Sequence, residues 1–358
     1  MNCSTLGSLV LSTAAFFGFA ALSSTGQSPP QQEPPKPAPA PEQKPKEKPE
    51  EQRLRDPSEP FRFSGFPSAD KEKSAKRFEP VVKWLNASIG RPIVFVPVES
   101  YASAVTLFST NKVDMIWVDG IHAALAEEAT KNRCQPIVAR QEDFKTKSYF
   151  IAAKKLVDEG KFKSIEERAP MTIDFLAALK PRFAELKFTF GDKLSTPSHV
   201  MPRFFLEHPD VGIEPEKGFC QKPGYAASGG DASVIASVMK GTFDVGVVLS
   251  SSWDLAKEEE KAATPVVFVT PEYADQCVVI HSHCGPTLPM RIIKAFLLLD
   301  HERAEGEHKA LMDAYGTRED RLATLEAFGT KKFLSSNLVQ LNPVRATLKS
   351  ARERHILE

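Results

Sequence analysis

The sequence predicts an α/β fold of two lobes with a ligand cleft between them, on three observations. Strand and helix signals alternate from Phe61 to Ala129, and the same rhythm returns from Lys187 to Val269. The polar stretch Arg140 to Lys147 lies where the chain would cross between lobes, and Asp275 to His281 reads as a strand returning to the first. Such βαβ spacing builds parallel sheets flanked by helices, and a doubled set encloses a cleft.

The first lobe begins with Phe61 to Phe66, alternating as a strand and stopping at Gly65, Pro67 and Ser68. A helix over 69–88 follows, with Phe78, Val81, Val82 and Leu85 at helical spacing. The run PIVFVPV over 92–98 is rich in β-branched residues and predicts a strand covered on both faces. Tyr101 to Ser109 is helical, Val113 to Val118 a strand and Gly120 to Ala129 a helix. Strands at 135–139 and 148–153 flank the first crossing. In the second lobe, strands are expected at Phe188 to Phe190, 243–248 and 265–269, with helices after Thr196, over 232–240 and over 253–260. Asp275 to His281 is expected to return to the first lobe as a strand, with helices over 289–300, from Arg303 and from Glu319. The domain expectation is lobe 1 over 61–145 and 273–342, lobe 2 over 146–272, and a polar tail over 343–358.

Ahead of the lobes, Leu6 to Leu22 is uncharged and apolar, as the core of an export signal or a retained anchor would be, so 1–26 reads as one of these. Residues 27–60 are proline-rich and charged, with almost nothing to bury, and read as a disordered extended linker. Lys plus Arg and Asp plus Glu are both 46, so no net field recruits nucleic acid or anionic membrane. Membrane contact is expected only through the N-terminus, if the leader is retained.

In open α/β sheets ligands bind beyond the carboxyl ends of strands, which singles out the loops before the helices. The stretch KFTFGDKLSTPSHVMPRFF, Lys187 to Phe205, reads as strand, loop and helix start. Thr196 suits the N-cap and Pro197 the first helical position. Hydroxyls at a helix N-terminus suit an anion, although Thr196 could simply cap its own helix. Asp119 likewise reads as the cap of the helix from Gly120, or as an acceptor from a protonated ligand oxygen.

These residues resemble the periplasmic substrate-binding proteins of phosphate, phosphite and phosphonate ABC transporters, over roughly Phe61 to Asp300. FTFGDKLSTPSHVMPRFFLEHPDVGI is similar to that family's phosphate loop and Met-Pro helix. FEPVVKWLNASIG, Tyr101 with VDMIWV, and SGGDASVIASVMKGTFDVGVV resemble further family segments in order. The resemblance implies a type II periplasmic binding fold that closes on a small oxyanion and delivers it to an ABC transporter permease, as a monomer, with no cofactor and no chemistry of its own. Ser195, Thr196 and Ser198 would donate to the ligand, Tyr101 would reach from the facing lobe, and Tyr149 would join them. Gly230 and Asp231 would open the second-lobe helix at the site. Pro197 removes one backbone donor, and Gly230 stands where many members place a histidine. Leu249, Ser250 and Ser251 offer no carboxylate for an aminoalkyl group, which disfavours an aminophosphonate.

Cys134, Cys220, Cys277 and Cys284 could pair in any of three connectivities in an exported protein. Cys277, His281, His283 and Cys284 suggest a metal site, but strand alternation sets Cys284 on the opposite face, and no metal is expected. His301 and His308 read as solvated. The chain carries no nucleophile elbow, HExxH, Walker A or dinucleotide fingerprint. Two alternatives stay open at this point: a metal-assisted phosphoryl hydrolase using Asp119 and Asp231, and a tethered sensory module.

Overall fold

A computed structural model describes residues 54–56, 58–226, 229–300 and 317–357. The leader, most of the linker, Ser228, the helix from Arg303, and His301 and His308 lie outside the described residues.

One sheet is built from β1 (Phe61–Gly65), β2 (Ile93–Val96), β3 (Met115–Val118) and β4 (Cys134–Arg140), joined later by β10 (Cys277–His281) and β11 (Phe333–Ser335), in the order β11-β4-β10-β3-β1-β2. β1 pairs parallel with β2 and β3, whereas β10 runs antiparallel between β3 and β4. The parallel part follows from the βαβ crossovers through α1 (Lys71–Ile89) and α2 (Tyr101–Ser109). Asp70 caps α1 at its N-terminus, and Gly90 ends it at φ 61°, a left-handed conformation natural to glycine. PIVFVPV proves to be an edge: Val94 is 44% exposed, and prolines on both sides of β2 suit a strand with one unpaired side.

The second sheet comprises β5 (Ser148–Ala152), β6 (Phe188–Phe190), β7 (Gly224–Tyr225), β8 (Val245–Leu249) and β9 (Val266–Val269), ordered β7-β6-β8-β5-β9. Alternation along β5 divides its side chains between two cores. Phe150 and Ala152 join Phe188 and Val247, whereas Tyr149 and Ile151 join Val234 and Trp253. The helix expected over 253–260 is instead two short ones, Ser250–Asp254 and Glu258–Ala263, with Leu255 exposed between them.

Between the sheets the chain crosses twice, and the crossings pair with each other. Thr146 and Tyr273 exchange backbone hydrogen bonds of 3.2 and 3.1 Å, and the Asp275 amide donates to the Asp143 carbonyl at 3.0 Å. Asp275 and Gln276 therefore sit on this ribbon, and the return strand starts only at Cys277.

The expected polar tail is overturned. Asn342–Glu353 is a helix whose Val344, Thr347, Leu348 and Ala351 are buried, and Ile356 and Leu357 continue into the second lobe's core. Its other face carries Arg345 and Arg352, paired with Glu127 and Glu128 of α3 (Gly120–Ala129) in the first lobe. The i, i+3, i+4, i+7 spacing of the buried positions was hidden by these charges in a segment of low mean hydropathy.

Candidate oxyanion cleft

The wide turn Thr196–Val200 follows β6, and here the Val200 amide reaches back five residues to the Ser195 carbonyl at 3.0 Å. Its N-cap is Ser195 rather than Thr196: the Ser195 hydroxyl accepts from the Ser198 amide at 3.2 Å, and Pro197 is the second residue of the turn. Gly191 allows the turn to fold back on β6, since a Cβ there would lie 2.4 Å from that of Ser198. Gly229 and Gly230, at φ 80° and 52°, turn the chain into the helix Gly230–Met239 through two successive left-handed positions.

Six of the expected residues line one cavity of about 240 Å³: Tyr101 and Asp119 from the first lobe, Ser195, Ser198, Gly230 and Asp231 from the second. Two do not. Thr196 is fully buried, and its hydroxyl accepts from the Ile121 amide at 2.9 Å, so it ties the second lobe to the N-terminus of α3. Tyr149 faces the opposite core, edge-on to Trp253, because its position in β5 directs it away from the cleft.

Ser198 donates to the Asp231 carboxylate at 2.5 Å, and the Leu249 amide donates to that carboxylate's other oxygen at 3.2 Å. Asp119 both caps α3, accepting from the His122 amide at 3.1 Å, and lies 2.6 Å from the His122 ring nitrogen. Sequence reasoning missed Asp192, Asp275 and Gln276, which also line the cavity. Asp275 accepts from the Gly120 amide at 3.4 Å, and burial, reinforced by Asp119 and Asp143, pushes its carboxyl well above the usual range. The argument against an aminoalkyl ligand therefore fails, since carboxylates reach the cavity from loops other than the one after β8.

Behind the turn, His199 is held neutral with a pKa near 3, by burial and then by the Arg203 charge. Its Nδ1 faces the Lys193 carbonyl at 2.7 Å, and its Nε2 accepts from Arg203 at 3.1 Å. Arg203 is itself fully buried, paired with Glu216 at 2.5 Å and Glu207 at 2.9 Å, which fixes the helix that carries the turn.

Only part of the suspected metal cluster comes together: His281 stacks on His283, their ring centroids 4.0 Å apart. Cys277 is buried in the sheet, while His283 and Cys284 gather on Asp114, the His283 ring at 2.8 Å. The Arg55 guanidinium lies 3.2 Å from the same Asp114 oxygen, and burial pushes the Cys284 thiol well up. In this arrangement the Asp114 carboxylate is shared between Arg55 and His283. All four cysteines among the described residues are free thiols.

Residues 63–335 match the family described as ABC transporter, phosphonate, periplasmic substrate-binding protein. The chain belongs to this family. Members capture a solute outside the cytoplasmic membrane for an ABC importer, and the hydrolase and sensory alternatives are not favoured. A probable ABC transporter phosphite binding protein, PhnD1 of Prochlorococcus marinus (strain MIT 9301), is 28% identical over 264 residues, 72% of this chain and 82% of the relative. The fold is that of PhnD1 from the same organism, solved in complex with methylphosphonate, with a TM-score of 0.59 at 24% identity over 84% of this chain and all of the other. It is also that of a binding-protein component of an ABC phosphonate transporter from Pseudomonas aeruginosa, with a TM-score of 0.52 at 16% identity over 82% of this chain and 87% of the other. No helix among the described residues is long and apolar enough to cross a membrane.

Proposed function

We propose that this substrate-binding protein captures a small phosphorus oxyanion, in the class of phosphite, phosphate or a phosphonate, by closing its two lobes on the cavity, and presents it to an importer permease without chemical change. The supporting observation is the convergence of Tyr101 and Asp119 from one lobe with Ser195 and the start of the Gly230–Met239 helix from the other on a single cavity of about 240 Å³. Helix-start amides and hydroxyls supply donors for the anion. The carboxylates facing the same space accept from acidic protons that such a ligand still carries. The protein acts as a monomer, tethered through its N-terminus if the leader is kept.

A thermal-shift and calorimetry panel on refolded, ligand-free protein tests this, using phosphate, phosphite, methylphosphonate, an aminoalkylphosphonate, sulfate and selenate. A melting shift that grows with concentration is expected for the phosphorus acids. Absence of any shift at millimolar phosphite, phosphate and phosphonates would end the proposal.

A further inference from the structure

Gln276 belongs to no expected site, yet it stands at the join of the interlobe ribbon and β10, lining the cavity. Its carbonyl oxygen accepts from two groups that can only donate: the Trp117 indole N–H at 2.9 Å and the Arg140 guanidinium at 2.9 Å. That pair of donors fixes which end of the amide is which. The NH2 end then points to the Tyr101 hydroxyl at 3.2 Å, and it can only donate. A phenol that accepts there has one proton left to give, and among the described residues no protein acceptor is recorded for it. Burial, with the nearby Asp119 and Asp275 carboxylates, keeps that proton on the phenol. Arg140 is in turn held by Asp143 at 2.6 Å, so the relay starts from a fixed charge.

We infer that Gln276 is a positioning residue which commits the Tyr101 hydroxyl to donate into the cleft, making Tyr101 an anion donor rather than an acceptor. The inference rests on the oxyanion reading above. It also says how a cavity that no described lysine or arginine lines still feels a cation's influence: Arg140 acts through one amide and one phenol. A glutamine is required for this, because a carboxylate at the same position would accept from Trp117, Arg140 and Tyr101 alike and turn the phenol proton away from the ligand.

The test is a double-mutant cycle read by calorimetry with phosphite and methylphosphonate. Tyr101→Phe should weaken binding about 10- to 150-fold, the range for one hydrogen bond to a charged group. Gln276→Glu should weaken it in the parent about tenfold or more beyond its effect in the Tyr101→Phe background, where only the repulsion of the new charge remains. An equal penalty in both backgrounds would mean that the new charge simply repels the anion, and would overturn the inference, as would unchanged binding by Gln276→Glu. Because Gln276→Glu keeps acceptors for Trp117 and Arg140, its melting temperature should stay near the parent's. A second readout needs no ligand: the Gln276 side-chain NH2 signals in NMR should shift on Tyr101→Phe, and their failure to move would refute the relay. If they shift and none of the phosphorus anions binds, the ligand reading fails while the relay stands.

Discussion

Thr196→Val removes one hydroxyl and keeps the shape of the side chain. In the structure that hydroxyl is the acceptor for the Ile121 amide across the lobes, at 2.9 Å, with Thr196 completely buried. The valine methyl cannot accept, so Ile121 would be left as a buried, unpaired N–H, at a cost of about 1–3 kcal/mol. Provided that this contact parts when the cleft opens, the amide reaches water there and the cost falls on the closed state alone. Closure and ligand capture are linked, and affinity should therefore fall by about 5- to 150-fold. Calorimetry with the panel's tightest ligand measures the loss, and the ligand-free melting temperature controls for general damage. Parent-like affinity would show that the Ile121 contact is not part of the bound state and would refute the reasoning.

Three further outcomes follow from the buried groups. His199 is neutral in the fold with a pKa near 3 against an ordinary 6.5, so its contribution is intact above 6.5 and is lost as pH falls toward 3, at up to about 1.4 kcal/mol per pH unit; His199→Gln should flatten that limb in urea titrations. Asp275 has the opposite sign: its raised carboxyl favours the fold below the ordinary value of 3.8, and the benefit is lost as pH rises, so Asp275→Asn should raise the melting temperature at pH 8 and not at pH 4. Truncation before Asn342 strips Val344, Leu348, Ile356 and Leu357 from the second lobe's core, on the order of 6–12 kcal/mol by side-chain burial, which rivals the net stability of a whole domain; the truncated chain should show no cooperative urea transition.

The fold was legible where the information is local. α2 and α3 fall at their expected bounds because Ser100 and Asp119 cap them and their apolar faces keep helical spacing. The turn at Ser195 was visible for the same reason. What failed depends on partners distant in the chain. Thr196 reads as a ligand donor until full burial withdraws it from the cavity lining, where its oxygen accepts from Ile121, 75 residues earlier. Gln276 reads as part of a strand until Trp117, Arg140 and Tyr101 converge on it. Tyr149 was misplaced because a strand's alternation gives two faces without saying which meets the cleft.

The charge of the site is the sharpest case of this. A chain with 46 basic and 46 acidic residues conceals a cavity that gathers Asp119, Asp192, Asp231 and Asp275 and, among the described residues, is lined by no lysine or arginine. Two unit charges 4 Å apart repel by about 4 kcal/mol at an effective dielectric constant of 20, more than the 1.5–3 kcal/mol that one hydrogen bond to a charged group returns. A fully deprotonated dianion would therefore lose against each ionised carboxylate what a donor such as Tyr101 or Ser195 gives it. The balance reverses when a proton lies on the line between ligand oxygen and carboxylate, because repulsion becomes a charge-assisted hydrogen bond. Phosphorus oxyacids keep such a proton near neutral pH and sulfate does not. For the proposed ligand, discrimination then follows from proton count more than size, and affinity for phosphite or a phosphonate should fall as rising pH removes the ligand's last acidic proton. An affinity that instead rose with pH would place the anion against donors alone, away from the carboxylates.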